Sequence, residues 1–503
     1  MRPAATSPAA TGIATLLLAL PWLNPFAPGP MAAMVPWLVA LASVAGLLAV
    51  QAIWQPARRA GASGWAGAAA GGWLVAGALS CAIGMVQYFG VSPALAPWVN
   101  TTPLGEAFAN LRQRNQFASL VHIALAALLW WVVQVRPAVA RHAARNLAVA
   151  LAILLAVGNA VSSSRTGLVQ TALVVALAAV WGGWRDAAVR RVLLAFVLAY
   201  GLGLLLLPSL VGLDTGAWAR LREGDALCSS RLTLWHNVLT LVAQHPWLGW
   251  GWGELDYAHY IHLYDGPRFC DILDNAHNLP LHLAVELGVP MAVAACGLLV
   301  WWVLRSQPWA ETDASRRMAW TVLAVVGLHS LLEYPLWYGP FQIAVGLCVV
   351  LLWRTPQPAP IRKQAPVLIP YALAALFLIA TCLYTAWDYR RASQVYMPPA
   401  ARDPAYRDDP LAAARSSFLF QNQVQFAELS TTPLTQANAR AQYQLALALL
   451  HFSPEHRVIE RVIDSAMLLG LDDVAVFHML RFKAAFPEAF ADWVASRRRD
   501  NVQ

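Results

Sequence analysis

Long, nearly uncharged apolar stretches are the feature of this 503-residue chain that most limits its fold. Hydrophobic residues make up 58% of the chain and charged residues only 12%. Soluble proteins carry roughly 25% charged residues, so this chain has too little charge to solvate a closed globular surface. These properties exclude a cytosolic enzyme, a secreted disulfide-rich scaffold and a disordered chain. They predict an all-α polytopic integral membrane protein, with the lipid bilayer as a partner.

Eleven stretches are candidate membrane spans, because a helix needs about 20 apolar residues to cross a hydrocarbon core of about 30 Å. The fifth and the tenth of these stretches are short for this purpose. The predicted spans are residues 11–28, 31–53, 66–88, 117–135, 146–161, 167–184, 191–212, 282–304, 318–334, 340–353 and 367–387.

The charged residues in the loops predict the orientation of these spans. If the N-terminus lies in the cytoplasm, the loops on its side hold fifteen basic and three acidic residues. The opposite loops hold seven basic and nine acidic residues, as the positive-inside rule requires. The net charge of +8 therefore reflects topology, and we expect no nucleic-acid partner.

Two regions are too polar to lie in the membrane. Residues 213–281 form a large outer loop, and residues 389–503 hold thirteen basic and twelve acidic residues. Apolar positions recur in this tail at helical spacing, as at Val458 and Val462. We therefore predict a membrane domain over residues 1–388. A small domain of paired helices, resembling tetratricopeptide (TPR) repeats, follows on the outer side.

Two of the six cysteines, Cys228 and Cys270, share the outer loop. If that side of the membrane is an oxidising periplasm, the sequence predicts a disulfide between them. The other four lie inside predicted spans, where a small apolar role is the default.

Polar clusters at membrane boundaries are costly and are therefore candidate functional sites. The first is Arg112–Gln116, which reads Arg-Gln-Arg-Asn-Gln directly before the fourth span. The second is Ser162–Gly167, a short turn that contains Arg165. Arginine can bind phosphate oxygens in a bidentate manner, so both clusters are candidate anion sites. The alternative for each is an anchor that holds a helix end at the lipid headgroups.

Two further clusters lie in the outer loop. Ser229–Arg231 is followed by His245–Gly253, where glycines alternate with tryptophans that could stack on sugars or lie in the aromatic belt of the membrane interface. Asp274–Asn278 contains His277, close to the eighth span. A histidine there could be a general base, and the alternative is a hydrogen-bonded loop residue.

Metal binding was weighed because six of the twelve histidines lie between residues 236 and 282. His259 and His262 could share one face of a helix. No HExxH or paired-cysteine pattern accompanies them, so the sequence predicts no metal site.

The stretch Leu331–Tyr338 ends the ninth span at the outer face, with His329 just inside it. Ionisable residues at such a position are candidate functional groups. Glu333 is either an ion-pair partner for an outer arginine or a group that helps to position an acceptor.

In this order, the motifs resemble the Wzy/WaaL/PglL superfamily of bacterial lipid-linked glycan ligases and polymerases. The shared features are an arginine turn after the fifth span, a Ser-Arg-x-x-x-Trp segment, a large outer loop and an Asn-Ala-His-Asn segment before a span. Arg112–Phe117, Asp274–Asn278 and Glu333–Tyr338 are most like the PglL-type protein O-oligosaccharyltransferases. The resemblance implies about twelve spans, against eleven counted here. A twelfth would move the tail to the other side of the membrane.

The resemblance also implies a reaction and roles for residues. The superfamily transfers a glycan from undecaprenyl pyrophosphate to a hydroxyl at the periplasmic face of the inner membrane, and no cofactor is expected. Arg165 and Arg231 would hold the pyrophosphate. His277 would either remove the proton of the acceptor or contact the pyrophosphate. Arg112 or Arg114 would join Arg165 and Arg231 in binding the pyrophosphate. The residues with a supporting role are Asn115, Gln116, Asn275, Asn278, Glu333, Tyr334 and Tyr338.

Three hypotheses remain open for the activity. The acceptor of the glycan is a serine or threonine of a pilin-like periplasmic protein, or it is lipid A core. The third hypothesis is a transporter of lipid-linked sugars, which should carry charged residues in the middle of its spans and show repeat symmetry. The predicted spans hold almost no such charges, which disfavours a transporter.

Overall fold

A computed structural model describes residues 8–54, 62–134, 142–213, 227–353 and 368–500. The fold prediction is confirmed, since the described residues form α-helices, short 3₁₀ turns and no strand. The described α-helices are numbered here in chain order: α1 Pro8–Leu23, α2 Met34–Trp54, α3 Ala62–Tyr88, α4 Arg114–Gln134, α5 His142–Ser162, α6 Arg165–Val180, α7 Ala187–Leu210, α8 Arg231–Gln244, α9 Leu255–Ile261, α10 Leu279–Leu287, α11 Val289–Ser306, α12 Ala314–Ser330, α13 Gly339–Trp353, α14 Leu368–Ser393, α15 Pro410–Ala414, α16 Gln421–Thr431, α17 Ala439–Leu450, α18 His456–Leu468, α19 Asp472–Ala485 and α20 Pro487–Asp500.

Each of the eleven predicted spans overlaps one of the helices α1 to α7 and α11 to α14. Seven helices in the described part of the chain are long and apolar enough to cross a membrane. Three shorter ones, α1, α6 and α13, are also apolar. The remaining helix, α12, carries Arg316 and Arg317 close to its start. The chain therefore has the composition and the helices of a multi-pass membrane protein.

The eighth span starts later than the sequence predicted. Residues 279–287 form the separate short helix α10, and the apolar span covers Val289–Ala310. Gly288 between the two helices has a φ angle of +87°, which glycine adopts readily and other residues rarely do. The apolar run of the sequence conceals this break, because hydropathy does not depend on backbone dihedral angles.

The described residues fall into two compact units. The first comprises Met1–Glu223 and Trp302–Leu383, and the second comprises Gly224–Trp301 and Tyr384–Gln503. The chain passes from one unit to the other within α11 and within α14.

In the first unit, α3 is rich in glycine and alanine and packs against α1, α4 and α5. A Cβ atom added at Gly77 would lie 2.4 Å from the Cβ of Ala124 in α4. A Cβ at Gly84 would lie 2.8 Å from the ring of Phe117. Small residues thus let α3 and α4 approach closely, which is how membrane helices associate without a hydrophobic driving force between them.

The second unit combines the outer loop with the tail. The ring of Tyr260 in α9 is buried in the core of the tail helices, and its hydroxyl lies 2.7 Å from Nδ1 of His478. Nδ1 of His451 lies 2.7 Å from a carboxylate oxygen of Glu254, and the His451 ring stacks on that of Tyr257. The loop and the tail therefore share one hydrophobic core within this unit.

The run of alternating glycine and tryptophan is a close backbone contact. Backbone N–H groups of Trp250 and Gly251 donate to the carbonyls of Val285 and Glu286 in α10, at 2.8 and 3.0 Å. Gly249 has a φ angle of +70°, and a Cβ there would lie 2.3 Å from the backbone of Glu286. Packing against α10 thus requires the glycine at position 249, while Trp247 remains exposed.

Candidate functional site: two serine-capped helix starts

Arg165 is the first residue of α6 and lies at its exposed N-terminus. The preceding Ser164 is the N-cap, and its hydroxyl accepts a hydrogen bond of 3.0 Å from the backbone N–H of Gly167. A Cβ at Gly167 would lie 2.4 Å from Oδ1 of Asn159, so only glycine fits this tight turn. The free N–H groups and the dipole of a helix N-terminus favour an anion, and the guanidinium adds a full positive charge there.

Arg231 repeats this arrangement in the second unit. It is the first residue of α8, and the preceding Ser230 accepts a hydrogen bond of 3.2 Å from the backbone N–H of Thr233. Cys228, two residues earlier, forms a disulfide with Cys270, and the N–H of Cys270 donates to the carbonyl of Cys228 at 3.1 Å. The cysteine pairing expected for an oxidising compartment thus lies directly before this arginine.

Two polar side chains connect the start of α6 to the stretch after α12. Oδ1 of Asn115 in α4 accepts a hydrogen bond of 2.7 Å from the hydroxyl of Ser164. The amide nitrogen of Asn115 donates to one carboxylate oxygen of Glu333 at 3.2 Å. The amide of Gln113 donates to the other oxygen, also at 3.2 Å. Glu333 is 4% exposed, so this carboxylate is buried and hydrogen-bonded.

A second polar layer lies one helical turn further into the same helices. The hydroxyl of Ser119 lies 2.8 Å from Nδ1 of His329 and accepts a hydrogen bond of 2.7 Å from the amide of Gln170. All three side chains are fully buried. Ser119 and Gln170 were not among the residues predicted from the sequence. Ser119 follows Asn115 by four residues on the same face of α4, which is a signal that could have found it. The spacing of six residues between Ser164 and Gln170 gives no such signal.

The arginines of the Arg-Gln-Arg-Asn-Gln motif are engaged within the first unit. Arg114 forms an ion pair of 2.7 Å with Glu106. Arg112 has a φ angle of +60° and donates to the backbone carbonyl of Pro25. Burial lowers the pKa of the Arg112 guanidinium. Gln116, the last residue of the motif, is 1% exposed inside α4.

Tyr334 and Tyr338 follow Glu333 directly. Their rings are stacked with centroids 6.0 Å apart, and the ring of Trp337 lies 5.3 Å from that of Tyr334. These aromatic rings therefore form one group beside the buried carboxylate.

His277 lies on a backbone turn that neighbouring asparagines stabilise. Its φ angle is +49°, and its N–H donates to Oδ1 of Asn275 at 2.8 Å. Oδ1 of Asn278 caps α10 by accepting a bond of 3.1 Å from Leu281. The indole N–H of Trp235 in α8 donates to the carbonyl of Ala276 at 3.2 Å. This last bond links the helix that starts with Arg231 to the segment that presents His277.

Burial shifts the ionisable groups around His277 toward their neutral forms. Burial raises the pKa of Asp274, although the nearby His277 opposes the shift. In α10, Nε2 of His282 lies 3.6 Å from a carboxylate oxygen of Glu286. Burial lowers the pKa of His282 to about 4 and raises that of Glu286 to about 7. The pair thus adds little net charge, and His277 is the more exposed histidine of the segment.

The histidines weighed as metal ligands have other contacts. Nδ1 of His259 lies 2.8 Å from the hydroxyl of Tyr264, and its Nε2 lies 3.1 Å from the carbonyl of Phe269. Burial lowers the pKa of His259 to about 3. His262 contacts the amide of Gln244. Among the described residues, no group of three or more His, Cys, Asp or Glu side chains is placed to hold a metal ion.

Three family models match this chain. O-antigen ligase matches residues 149–296, which contain Arg165, Arg231 and His277. Protein glycosylation ligase matches residues 107–132, which contain the Arg-Gln-Arg-Asn-Gln motif. Virulence factor membrane-bound polymerase, C-terminal, matches residues 317–500, which contain Glu333 and the tail.

Two relatives come from Acinetobacter baylyi. A general O-oligosaccharyltransferase is 26% identical over 189 residues, which cover 34% of this chain and 32% of that protein. A ComP-specific O-oligosaccharyltransferase is 26% identical over 253 residues, which cover 48% of this chain and 43% of that protein. The chain thus matches less than half the length of either relative. No solved structure matches it. The similarities indicate a glycosyltransferase-type enzyme and confirm the predicted resemblance to the O-antigen ligases and the protein O-oligosaccharyltransferases.

Proposed function

We propose that this chain transfers an oligosaccharide or polysaccharide from undecaprenyl pyrophosphate to a serine or threonine hydroxyl of a periplasmic, pilin-like protein. The observation that carries the proposal is the pair of serine-capped helix starts, each with an arginine as its first residue. Both arginines lie in the stretch that matches O-antigen ligase. An arginine at a helix start, where backbone N–H groups and the helix dipole also favour an anion, suits the oxygens of a phosphate group.

The chemistry needs charge stabilisation at the leaving group. The acceptor oxygen attacks C1 of the first sugar, the bond from C1 to the pyrophosphate oxygen breaks, and the pyrophosphate leaves with the electron pair. Arg165 and Arg231 stabilise the charge that grows on it. Arg112 and Arg114 support the binding of the pyrophosphate in this proposal. In the first unit, Arg112 contacts the carbonyl of Pro25 and Arg114 contacts Glu106. A single displacement of this kind inverts the anomeric centre.

His277 takes the proton of the acceptor hydroxyl in this proposal. Imidazole is the side chain that enzymes use most often as a general base. The turn formed with Asn275 and the cap formed by Asn278 fix its backbone. Asn115, Gln116, Glu333, Tyr334 and Tyr338 shape the donor side of the site in the first unit.

The protein acceptor is favoured by the relatives, both of which are named as O-oligosaccharyltransferases. The match to O-antigen ligase supports a second candidate, transfer of the same kind of donor to lipid A core. In either case we place the chain in the bacterial inner membrane, with the N-terminus in the cytoplasm and the reaction on the periplasmic face.

A transfer assay with purified enzyme tests the proposal. A synthetic undecaprenyl-pyrophosphate-linked glycan is offered with either a pilin-like protein or lipid A core. Glycosylated protein is the expected product. Glycosylation of lipid A core alone would establish the second candidate, and release of glycan to neither acceptor would contradict both.

A further inference from the structure

The serine that caps α6 has a second contact that capping does not require. Ser164 is 4% exposed, and its hydroxyl both accepts from the N–H of Gly167 and donates to Oδ1 of Asn115. Capping needs only the accepting interaction, because the orphan groups at a helix start are N–H donors. The donated bond therefore serves something other than helix formation.

Asn115 has its acceptor and its donor engaged on opposite sides. Its Oδ1 receives the proton of Ser164, and its Nδ2 donates to Glu333. An amide held from both sides cannot rotate without losing both bonds. Glu333 is itself fixed, since its other carboxylate oxygen accepts from Gln113 and its N–H donates to the carbonyl of His329 at 2.8 Å.

These contacts form one continuous hydrogen-bond network from Glu333 through Asn115 to Ser164. They join α6, the start of α4 and the stretch after α12 within the first unit. We propose that this hydrogen-bond network is a positioning device that fixes the start of α6 and therefore the place of Arg165. The inference rests on the proposed function, because it takes Arg165 as a group that binds the pyrophosphate of the donor. Ser164 is the positioning residue that this hydrogen-bond network adds to the site.

The proposal predicts an effect on donor binding from a residue that need not touch the donor. A helix cap and a buried hydrogen bond each contribute about as much as a several-fold to tenfold change in an equilibrium. Ser164→Ala is therefore expected to raise the KM for the lipid-linked donor about tenfold, with kcat and the KM for the acceptor much less affected. Ser164→Thr keeps the hydroxyl and should restore the KM.

Two further variants separate capping from positioning. Ser164→Gly keeps a residue that is accepted at the N-cap but loses the bond to Asn115, so it should still raise the donor KM. Ser209→Ala is the control, because it removes an exposed serine hydroxyl from the end of α7, outside both the Ser162–Gly167 turn and the hydrogen-bond network. A donor KM that Ser164→Gly leaves unchanged would overturn the proposal.

A double-mutant cycle tests whether Ser164 and Glu333 are energetically coupled through the hydrogen-bond network. Ser164→Ala and Glu333→Ala should raise the donor KM less together than the product of their separate effects. In an Asn115→Ala background this coupling should vanish, because the side chain that connects Ser164 to Glu333 is removed. Multiplicative effects in the native background, or coupling that survives without Asn115, would contradict the proposal.

Amide hydrogen exchange tests the same hydrogen-bond network without any substrate. Asn115→Ala and Glu333→Ala should speed amide exchange in the first turn of α6 roughly tenfold, and the control Ser209→Ala should not. Unchanged exchange in both variants would overturn the positioning role even if transfer activity is present. If the native enzyme transfers no glycan but the exchange effect is present, the proposed function is rejected. The positioning role of the hydrogen-bond network then still stands.

Discussion

Arg165 and Arg231 occupy the same local position in the two units, yet different forces hold them. In the first unit the capping serine is connected to a buried carboxylate through Asn115. In the second unit the capping Ser230 contacts the nearby Thr233, and the preceding Cys228 is fixed covalently to Cys270. One arginine is thus placed by a polar network between helices, and the other by a cross-linked loop.

This difference follows from the environment of each helix start. Within packed, apolar helices a polar network has no competing water, so a few hydrogen bonds suffice to hold a turn. In the second unit, the disulfide before Arg231 closes a loop of 42 residues, which reduces the entropy of the unfolded chain. The two starts should therefore respond differently to the same perturbations.

The largest expected effect comes from removal of either arginine. Arg165→Ala and Arg231→Ala should each lower transfer roughly 100-fold or more, because one preorganised donor to a developing charge is worth about that much. Lysine at either position should restore part of the activity, since it keeps the charge but loses the bidentate fork. Transfer rates of purified variants measure this. Arg305→Ala and Arg440→Ala, two exposed positions outside the site, are the controls and should keep the native rate.

Breaking the disulfide should affect only the second helix start. Cys228→Ser with Cys270→Ser should lower the stability of the second unit by about 2–5 kcal/mol and lower transfer roughly tenfold. Reducing agent should act in the same way on the native enzyme and have no further effect on the double variant. Cys296→Ser, in α11, is the control. An enzyme whose transfer and thermal unfolding ignore both the reductant and the double substitution would show that the disulfide does not hold Arg231.

Substitution of Gly249 should weaken the scaffold of the second unit. A Cβ at Gly249 would collide with the backbone of Glu286, and the residue also has a positive φ angle. Gly253 has a positive φ angle of +81° with open space around it. Gly249→Ala is therefore expected to lower the Tm by several degrees more than Gly253→Ala, because it adds overpacking of about 1–3 kcal/mol to the same backbone strain. Equal shifts in Tm would mean that the close contact with α10 contributes nothing.

The smallest effect concerns pH and Asp256 in α9. Burial raises the pKa of Asp256 to about 7, above the value of about 3.9 for an unfolded chain. The folded state therefore binds a proton at Asp256 more tightly than the unfolded state does. The stability that this binding contributes is fully present below about pH 4 and is lost as the pH rises through 7. Asp256→Asn should remove this dependence. The Tm of the variant relative to the native enzyme should rise between pH 4 and pH 8.

Asp265→Asn, at an exposed position of the same loop, provides the control for this pH series. A difference in Tm between Asp256→Asn and the native enzyme that stays constant from pH 4 to pH 8 would contradict the raised pKa.

The helices could be predicted from the sequence because long apolar runs define them without any tertiary information. The two arginine turns could be found because charge is rare in such a chain. The break at Gly288 and the contact of Gly249 with α10 could not, because they depend on dihedral angles and on which backbone segments meet. The partners of Ser164 were equally inaccessible, since Asn115 and Glu333 lie 49 residues away and 169 residues away in the sequence.

Single-turnover transfer from a synthetic undecaprenyl-pyrophosphate-linked glycan to a pilin-like protein tests the roles of the two helix starts most directly. The native enzyme, Arg165→Ala and Arg231→Ala are compared at saturating acceptor and over a range of donor concentrations. We predict that the native enzyme glycosylates the protein and that each variant loses nearly all of this activity while still inserting in the membrane. Native-like rates and donor dependence in both variants would show that neither helix start holds the pyrophosphate.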